Sequence, residues 1–311
     1  MSIALTEKQE REIEAFWHIA NENGATITLS ELKSLAAIDA SEQELKDAIL
    51  SNSKLGSRFT LESGYVLERS EGPSQGGQNA VREAETRRAR ARANLKTAGN
   101  FGRVLLRGAV LVSVSGANSY LSAAEKEDID FFCVTKTDGM WPFVLKALIV
   151  ARLYRATHSD VPDLCFSCVM DKGWATEAFR SRQKPIFARD ALTAKVIGGT
   201  GAYRALLEEA RWMGSYFPTF YGMRLRQTGS AGGGLEGEVE GEGSAVLNAL
   251  LYHTLGSFLR LKSWALNRKF TKAGRHSAIF AMKIGKGHYI YESNKYRHLR
   301  NMYEEIEEGV Q

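Results

Sequence analysis

The chain has 311 residues, of which 44% are hydrophobic, 10% aromatic and 25% charged, proportions that exclude collagen-like, fully disordered and coiled-coil classes and allow two domains. A formal charge of +5 permits a nucleic-acid or nucleotide partner without requiring one. The most apolar run, Met140 to Tyr154, is broken by Pro142, Lys146 and Arg152 before it reaches the roughly 18 residues of a membrane span, and the charged stretch Glu7 to Glu12 stands where an export signal needs an apolar core, so the expectation is a cytoplasmic protein with no membrane partner.

Between Thr6 and Asn23 the residues Ile13, Phe16, Trp17 and Ile19 recur at helical spacing, and Gly24 ends the run. Ser30 opens a short second helix to about Ile38, and Ser41 caps a third that ends near Ser53 with Leu45, Ile49 and Leu50 inward. The stretch from Arg58 to Glu68 reads as two short strands around Glu62-Ser63-Gly64. Three helices and a hairpin predict a winged helix-turn-helix domain over residues 1–70. A DNA-reading third helix needs side chains that tolerate phosphates. Glu42, Gln43, Glu44, Lys46 and Asp47 are mostly acidic, which favours a structural or protein-contact role.

Residues 70–80 have linker composition, and Val81 to about Leu106 follows as a long basic helix carrying Arg82, Arg87, Arg88, Arg90, Arg92 and Lys96. Its basic residues over 82–103 form either a solvated face or a nucleic-acid-contacting stripe. From Gln227 to Ser244, seven of the 29 glycines lie among Glu236, Glu238, Glu240 and Glu242, so residues 226–244 are expected to be a disordered loop between a core over 81–225 and a helical C-terminal module over 245–311. Within that module a wide apolar stripe runs from Leu247 to Leu261 in a helix from Ala245 to Phe270, and Asn294 to Glu308 forms a last helix. Lys269, Lys272, Arg275, Lys283 and Lys286 interleave with Phe270, Phe280, Tyr289 and Tyr291, as in either a polynucleotide grip or an amphipathic hairpin.

The chemistry-bearing stretch lies between linker and loop. Ala109 to Ser115 reads as a strand ending at Gly116, Asn118 to Ala124 as a short helix, and Asp128 to Thr135 as a strand apolar on both faces, the pattern of a covered central strand. Residues i and i+2 of a strand point to one face about 7 Å apart, so Asp128 and Asp130 can converge on a metal pair. Gly116 lets the backbone approach a polyphosphate.

The turn Ser115-Gly-Ala-Asn-Ser119 followed by Asp128-Ile-Asp130 resembles the signature of the polymerase-beta-like nucleotidyltransferase superfamily, in particular prokaryotic members with a winged-helix segment. Looser landmarks follow in order, namely Trp141, Thr176-Glu177-Ala178, Trp212 and Phe217-Pro218. The resemblance implies an α+β protein with a small mixed sheet, in which Asp128 and Asp130 hold Mg²⁺ (or Mn²⁺). Ser115, Gly116, Ala117, Asn118 and Ser119 would contact a nucleoside triphosphate, and Asp163, opening the next strand, would be the third catalytic carboxylate. It further implies transfer of a nucleoside monophosphate to a hydroxyl acceptor. Ala117 departs from the superfamily, which usually places Ser there. The alternative is a non-catalytic nucleic-acid-binding or regulatory protein with a degenerate site.

Other motifs read more plainly. Cys165-x-x-Cys168 has the spacing of a zinc half-site, but a regular strand puts the two thiols on opposite faces, so they and Cys133 read as reduced core cysteines. The six histidines form no ligand-spaced cluster, and Gly198-Gly-Thr-Gly201 lacks the lysine of a phosphate-binding loop and reads as a turn before a helix.

Overall fold

A computed structural model describes residues 3–22, 24–36, 38–69, 75–158, 160–230 and 242–310. The N-terminal part folds as α1 (Glu7–Glu22), α2 (Leu29–Leu35), α3 (Glu42–Ser51), α4 (Ser53–Arg58) and the hairpin β1 (Phe59–Glu62) and β2 (Tyr65–Glu68). Ser41 caps α3 as the sequence indicates, in a reciprocal box with Glu44. Thr28, not Ser30, caps α2, because Glu31 three residues on returns a bond to the Thr28 amide at 2.9 Å. The extra turn α4 exists because the Asn52 side chain accepts from the Lys54 and Leu55 amides, starting a new helix where α3 stops. Ser63 and Gly64 both have positive φ, 52° and 81°, as a tight two-residue hairpin turn requires.

The long helix α5 (Gln75–Leu105) begins six residues before Val81, so the second half of the expected linker is helical, and residues 70–74 lie outside the described residues. The chain continues through β3 (Leu111–Ser115), α6 (Gly116–Ser119), β4 (Ile129–Thr135), α7 (Met140–Thr157), β5 (Leu164–Asp171), α8 (Lys172–Ser181), α9 (Pro185–Thr193), β6 (Lys195–Gly198), α10 (Thr200–Glu209), α11 (Met213–Tyr216) and α12 (Pro218–Ser230). The helix expected over 118–124 is only the single turn α6. Helix α12 reaches Ser230, so residues 226–230 of the expected Gly/Glu loop are helical, and 231–241 lie outside the described residues.

After α13 (Ala245–Leu251), a π-helical turn (Tyr252–Gly256) and α14 (Ser257–Lys272), the chain departs from the expected helical module. Strands β7 (Phe280–Ile284) and β8 (His288–Ser293) form a hairpin that joins the sheet before α15 (Asn294–Val310). The alternation in Phe-Ala-Met-Lys-Ile and His-Tyr-Ile-Tyr-Glu, around Gly285-Lys286-Gly287, accounts for it. Lys283 is paired there with Glu292 at 2.7 Å.

The fold is therefore mixed α+β around a six-stranded mixed sheet of order β6-β3-β4-β5-β8-β7. Only β4 and β5 run parallel, and α7 makes the crossover that such a pair demands. On one face Phe101 of α5, Trp141 and Val144 of α7 and Leu259 of α14 pack on Val112, Val114 and Phe131. On the other, α8, α9, α10 and α15 cover Phe132, Val134 and Met170, and the core runs without a break into α1–α3. Phe16 of α1 lies 6.4 Å from the ring of Phe217 and 6.1 Å from that of Tyr303. No described helix is long and apolar enough to cross a membrane.

Three arginines of α5 serve as ties. Arg88 bonds Glu31 at 2.9 Å, Arg90 donates to the Ala123 carbonyl at 3.0 Å, and Arg87 reaches Ser122. Arg92, Lys96 and Arg103 remain exposed along one helical face.

Gly199, between β6 and α10, has φ of +83°, and a Cβ there would lie 1.9 Å from the Val110 carbonyl oxygen. Gly64 has φ of +81° with nothing within 4 Å. Urea denaturation should show Gly199→Ala costing about 3 kcal/mol or more and Gly64→Ala only about 1 kcal/mol, the difference being the backbone clash.

Candidate functional site

The two aspartates stand where β3, β4 and β5 meet. Asp130 is paired across β3 with Ser115 and across β5 with Cys165. Asp128 precedes β4 by one residue and is the outermost of the group. One ligand atom from each of Asp128, Asp130 and Cys165 lies within 4.8 Å of the others. The i, i+2 convergence read from the sequence is thus realised. Gly116, φ +66°, turns directly against it, and a Cβ at that position would sit 2.7 Å from Oδ2 of Asp130. An alanine there would be strained by its dihedral angle and would displace the Asp130 carboxylate.

Cys165 is the residue that sequence reasoning missed. Between the pairs Asp130–Cys165 and Phe132–Cys168 the register slips by one residue, so two positions on β4 face three on β5. The bulge brings Cys165, and not only Cys168, to the Asp130 face, contrary to the alternation of a regular strand. Nothing in the local sequence announces that slip.

Burial, and secondarily the Asp128 charge, push the Asp130 carboxyl up to about 7, partly offset by hydrogen bonds from Cys165 and Ser167. Burial and the neighbouring carboxylates of Asp130 and Asp128 raise the Cys165 thiol far above its ordinary range. The thiol is thus a protonated donor to Asp130. Tyr291 of β8 is pushed up to about 12 by burial first, with the neighbouring Asp128 and Asp130 carboxylates adding to it, so the C-terminal hairpin flanks the site.

Two sets of bonds hold the turn. Buried Asn94 of α5 donates to Asn118 Oδ1 at 2.8 Å, and Asn118 donates to the Asp128 carbonyl at 2.7 Å. Ser119 is buried and donates to the Gly116 carbonyl at 2.8 Å. Asn118 and Ser119 therefore position the site, leaving Ser115, Gly116 and Ala117 as the part-exposed members of the predicted phosphate turn. Beyond it, Tyr120 donates to Asp190 of α9, Tyr296 of α15 bonds the same carboxylate, and the Arg189 guanidinium stacks 3.9 Å from the Tyr120 ring. Leu121, between these anchors, is held at φ +55°, a conformation a leucine seldom adopts.

Asp163 does not join the cluster. Its carboxylate is exposed and ion-paired with Arg155 of α7, while its carbonyl accepts from the Ile129 amide at 2.8 Å. The β5 residue that faces Asp130 is Cys165, a thiol.

No family model, curated protein or solved structure matches the chain.

The paired carboxylates and the close glycine backbone suit a hard divalent cation with an anionic ligand beside it. Without a cation Asp130 opposes folding when ionised. Its folded-state pKa, about 7, lies above the ordinary 3.8, so its contribution to stability is full below pH 4 and is lost as pH rises through 7. In chelator, Asp130→Asn should raise the unfolding free energy at pH 8 by about 3–4 kcal/mol. The gain should shrink toward zero by pH 4, as followed in urea melts across pH.

Proposed function

We propose that this protein is a nucleotidyltransferase of the polymerase-beta-like kind, with a winged-helix unit at residues 1–70 and a catalytic core around β3–β5. The observation that carries the reading is the convergence of Asp128 and Asp130, at the start of β4, against the Gly116 backbone at the end of β3, where Ser115 to Ala117 remain part-exposed. Asp130, a buried carboxylate with the Asp128 carboxylate beside it, is costly to ionise unless a cation binds.

In this reading Asp128 and Asp130 hold Mg²⁺ or Mn²⁺, which supplies charge neutralisation at the triphosphate and activation of the acceptor hydroxyl. Ser115, Gly116 and Ala117 line the triphosphate, with Gly116 giving the approach and Ser115 the hydroxyl that Ala117 lacks. The Cys165 thiol orients the Asp130 carboxylate by hydrogen bonding. Asn118, through the Asp128 carbonyl, fixes the outer carboxylate. Asp163 takes no part while paired with Arg155.

Among the described residues no third carboxylate joins the ligand group of Asp128 and Asp130, which favours a second reading, a nucleotide- or nucleic-acid-binding protein that does not transfer, with Arg92, Lys96 and Arg103 of α5 meeting phosphates. Incubation with α-labelled nucleoside triphosphates, Mg²⁺ or Mn²⁺, and RNA and protein extracts as acceptors separates the two. Label transfer by the wild type should fall at least about a hundredfold in the Asp128→Asn/Asp130→Asn variant. Equal transfer by both proteins overturns the proposal. No transfer by the wild type, with salt-sensitive, cation-independent polynucleotide binding, establishes the second reading instead.

A further inference from the structure

Helices α13 and α14, joined by the π-helical turn, form one continuous helical run from Ala245 to Lys272, roughly 40 Å long. One side is buried through Asn248, Gly256, Leu259 and Ser263. The opposite side bears an apolar ridge. Val246 is 82% exposed, Leu250 58%, Phe258 59%, Leu261 63% and Trp264 58%. Helix α7, held to α13 by the bond from the Trp141 amide to Asn248 at 2.9 Å, also leaves Ile149 and Leu153 exposed. Five large apolar side chains more than half exposed along one helical run form a patch at the upper end of what a monomer ordinarily leaves uncovered.

The charges say what covers it. The run Ala245–Lys272 has no Asp or Glu and contains Arg260, Lys262, Arg268, Lys269 and Lys272. Helix α7 also lacks acidic residues. Lys262, Lys269 and Lys272 are exposed, and Arg268 lies 5.4 Å from the ring of Trp264. Arg260 is turned to the sheet, donating to the Ile284 carbonyl at 3.0 Å, so a second copy packed ridge to ridge would bring the other four bases of each helix together with no acid in either. A polynucleotide would satisfy the bases but leave leucines and phenylalanine against phosphates. An anionic bilayer surface satisfies both, because the ridge enters the boundary between headgroups and acyl chains while the bases meet lipid phosphates and carboxylates.

We propose that the exposed face of residues 245–272 docks the protein on an anionic membrane surface, with the helix lying in the interfacial plane. Such a helix lies on the bilayer and does not span it. The inference does not depend on nucleotidyl transfer.

Co-sedimentation of the whole protein tests it, with vesicles of phosphatidylcholine alone or with about a third phosphatidylserine. Binding should appear with the anionic vesicles at low salt and weaken as salt rises. Leu261→Ser/Trp264→Ser alters only exposed side chains and should weaken binding on the order of tenfold or more with an unchanged circular dichroism spectrum. Lys262→Gln and Lys269→Gln should each weaken it roughly fivefold on anionic vesicles. The proposal is overturned by absence of binding at low salt, or by binding that the Leu261→Ser/Trp264→Ser variant leaves intact. It is equally overturned by a dimer in sedimentation velocity that the same variant dissolves, which would make a second copy the occupant.

Discussion

A carboxylate set into a sheet that is covered on both faces is the constraint around which this site is arranged. Strand β4 is central, with Phe131 and Cys133 packed toward α5 and α7 and Phe132 and Val134 toward α8 and α9. Asp130 near its start cannot turn fully to water, so its neighbours must reduce the cost of its charge. Cys165 and Ser167 donate to it, and Gly116 yields the volume its Oδ2 occupies. Those groups do not offset the penalty, since the carboxyl still titrates near neutrality. The remaining cost is what a bound cation would remove.

That local arrangement depends on distant parts of the chain. Asn94 of α5 reaches Asp128 through Asn118, so the register of the long helix sets the height of the outer carboxylate. Tyr120 ties the far end of the turn to Asp190 of α9, which Tyr296 of α15 also bonds. Arg88 links α5 to Glu31, the same carboxylate that completes the cap of α2. The N-terminal helices, the turn and the last helix are therefore one mechanical frame. The shared core of Phe16, Phe217 and Tyr303 is the apolar part of that frame.

What could be read from the sequence was what depends on local chemistry. The Asp128–Asp130 spacing, the Gly116 turn, the twofold-apolar β4, the Ser41 cap and the Ser63-Gly64 hairpin turn each rest on residues within a few positions of one another, and each appears. What could not be read depends on register between strands far apart in sequence. Cys165 faces Asp130 only because of a bulge relative to β4, and Asp163 turns away because Arg155, on a crossover helix, captures it. For the C-terminal basic and aromatic residues the sequence leaves a polynucleotide grip and an amphipathic hairpin both open, and the hairpin is what forms. Its place in the sheet depends on the main-chain pairing of β8 with the edge of β5, residues more than a hundred positions apart.

The basic residues divide by what surrounds them, which the net charge of +5 conceals. On α5 the arginines with acidic or carbonyl partners point inward and brace the fold, so a stripe that looked like a phosphate-binding surface is partly internal structure. On α14 the reverse holds. The wide apolar stripe from Leu247 to Leu261 suggested a helix buried over a broad arc, yet the sheet covers only the side carrying Leu259 and Ser263. A helix with apolar residues around more of its circumference than its own protein covers, and with bases but no acids among them, keeps an unmet demand for an apolar, anionic surface. Packing among the described residues does not meet that demand, because β7 lies against the buried side of α14 and the ridge faces away from it.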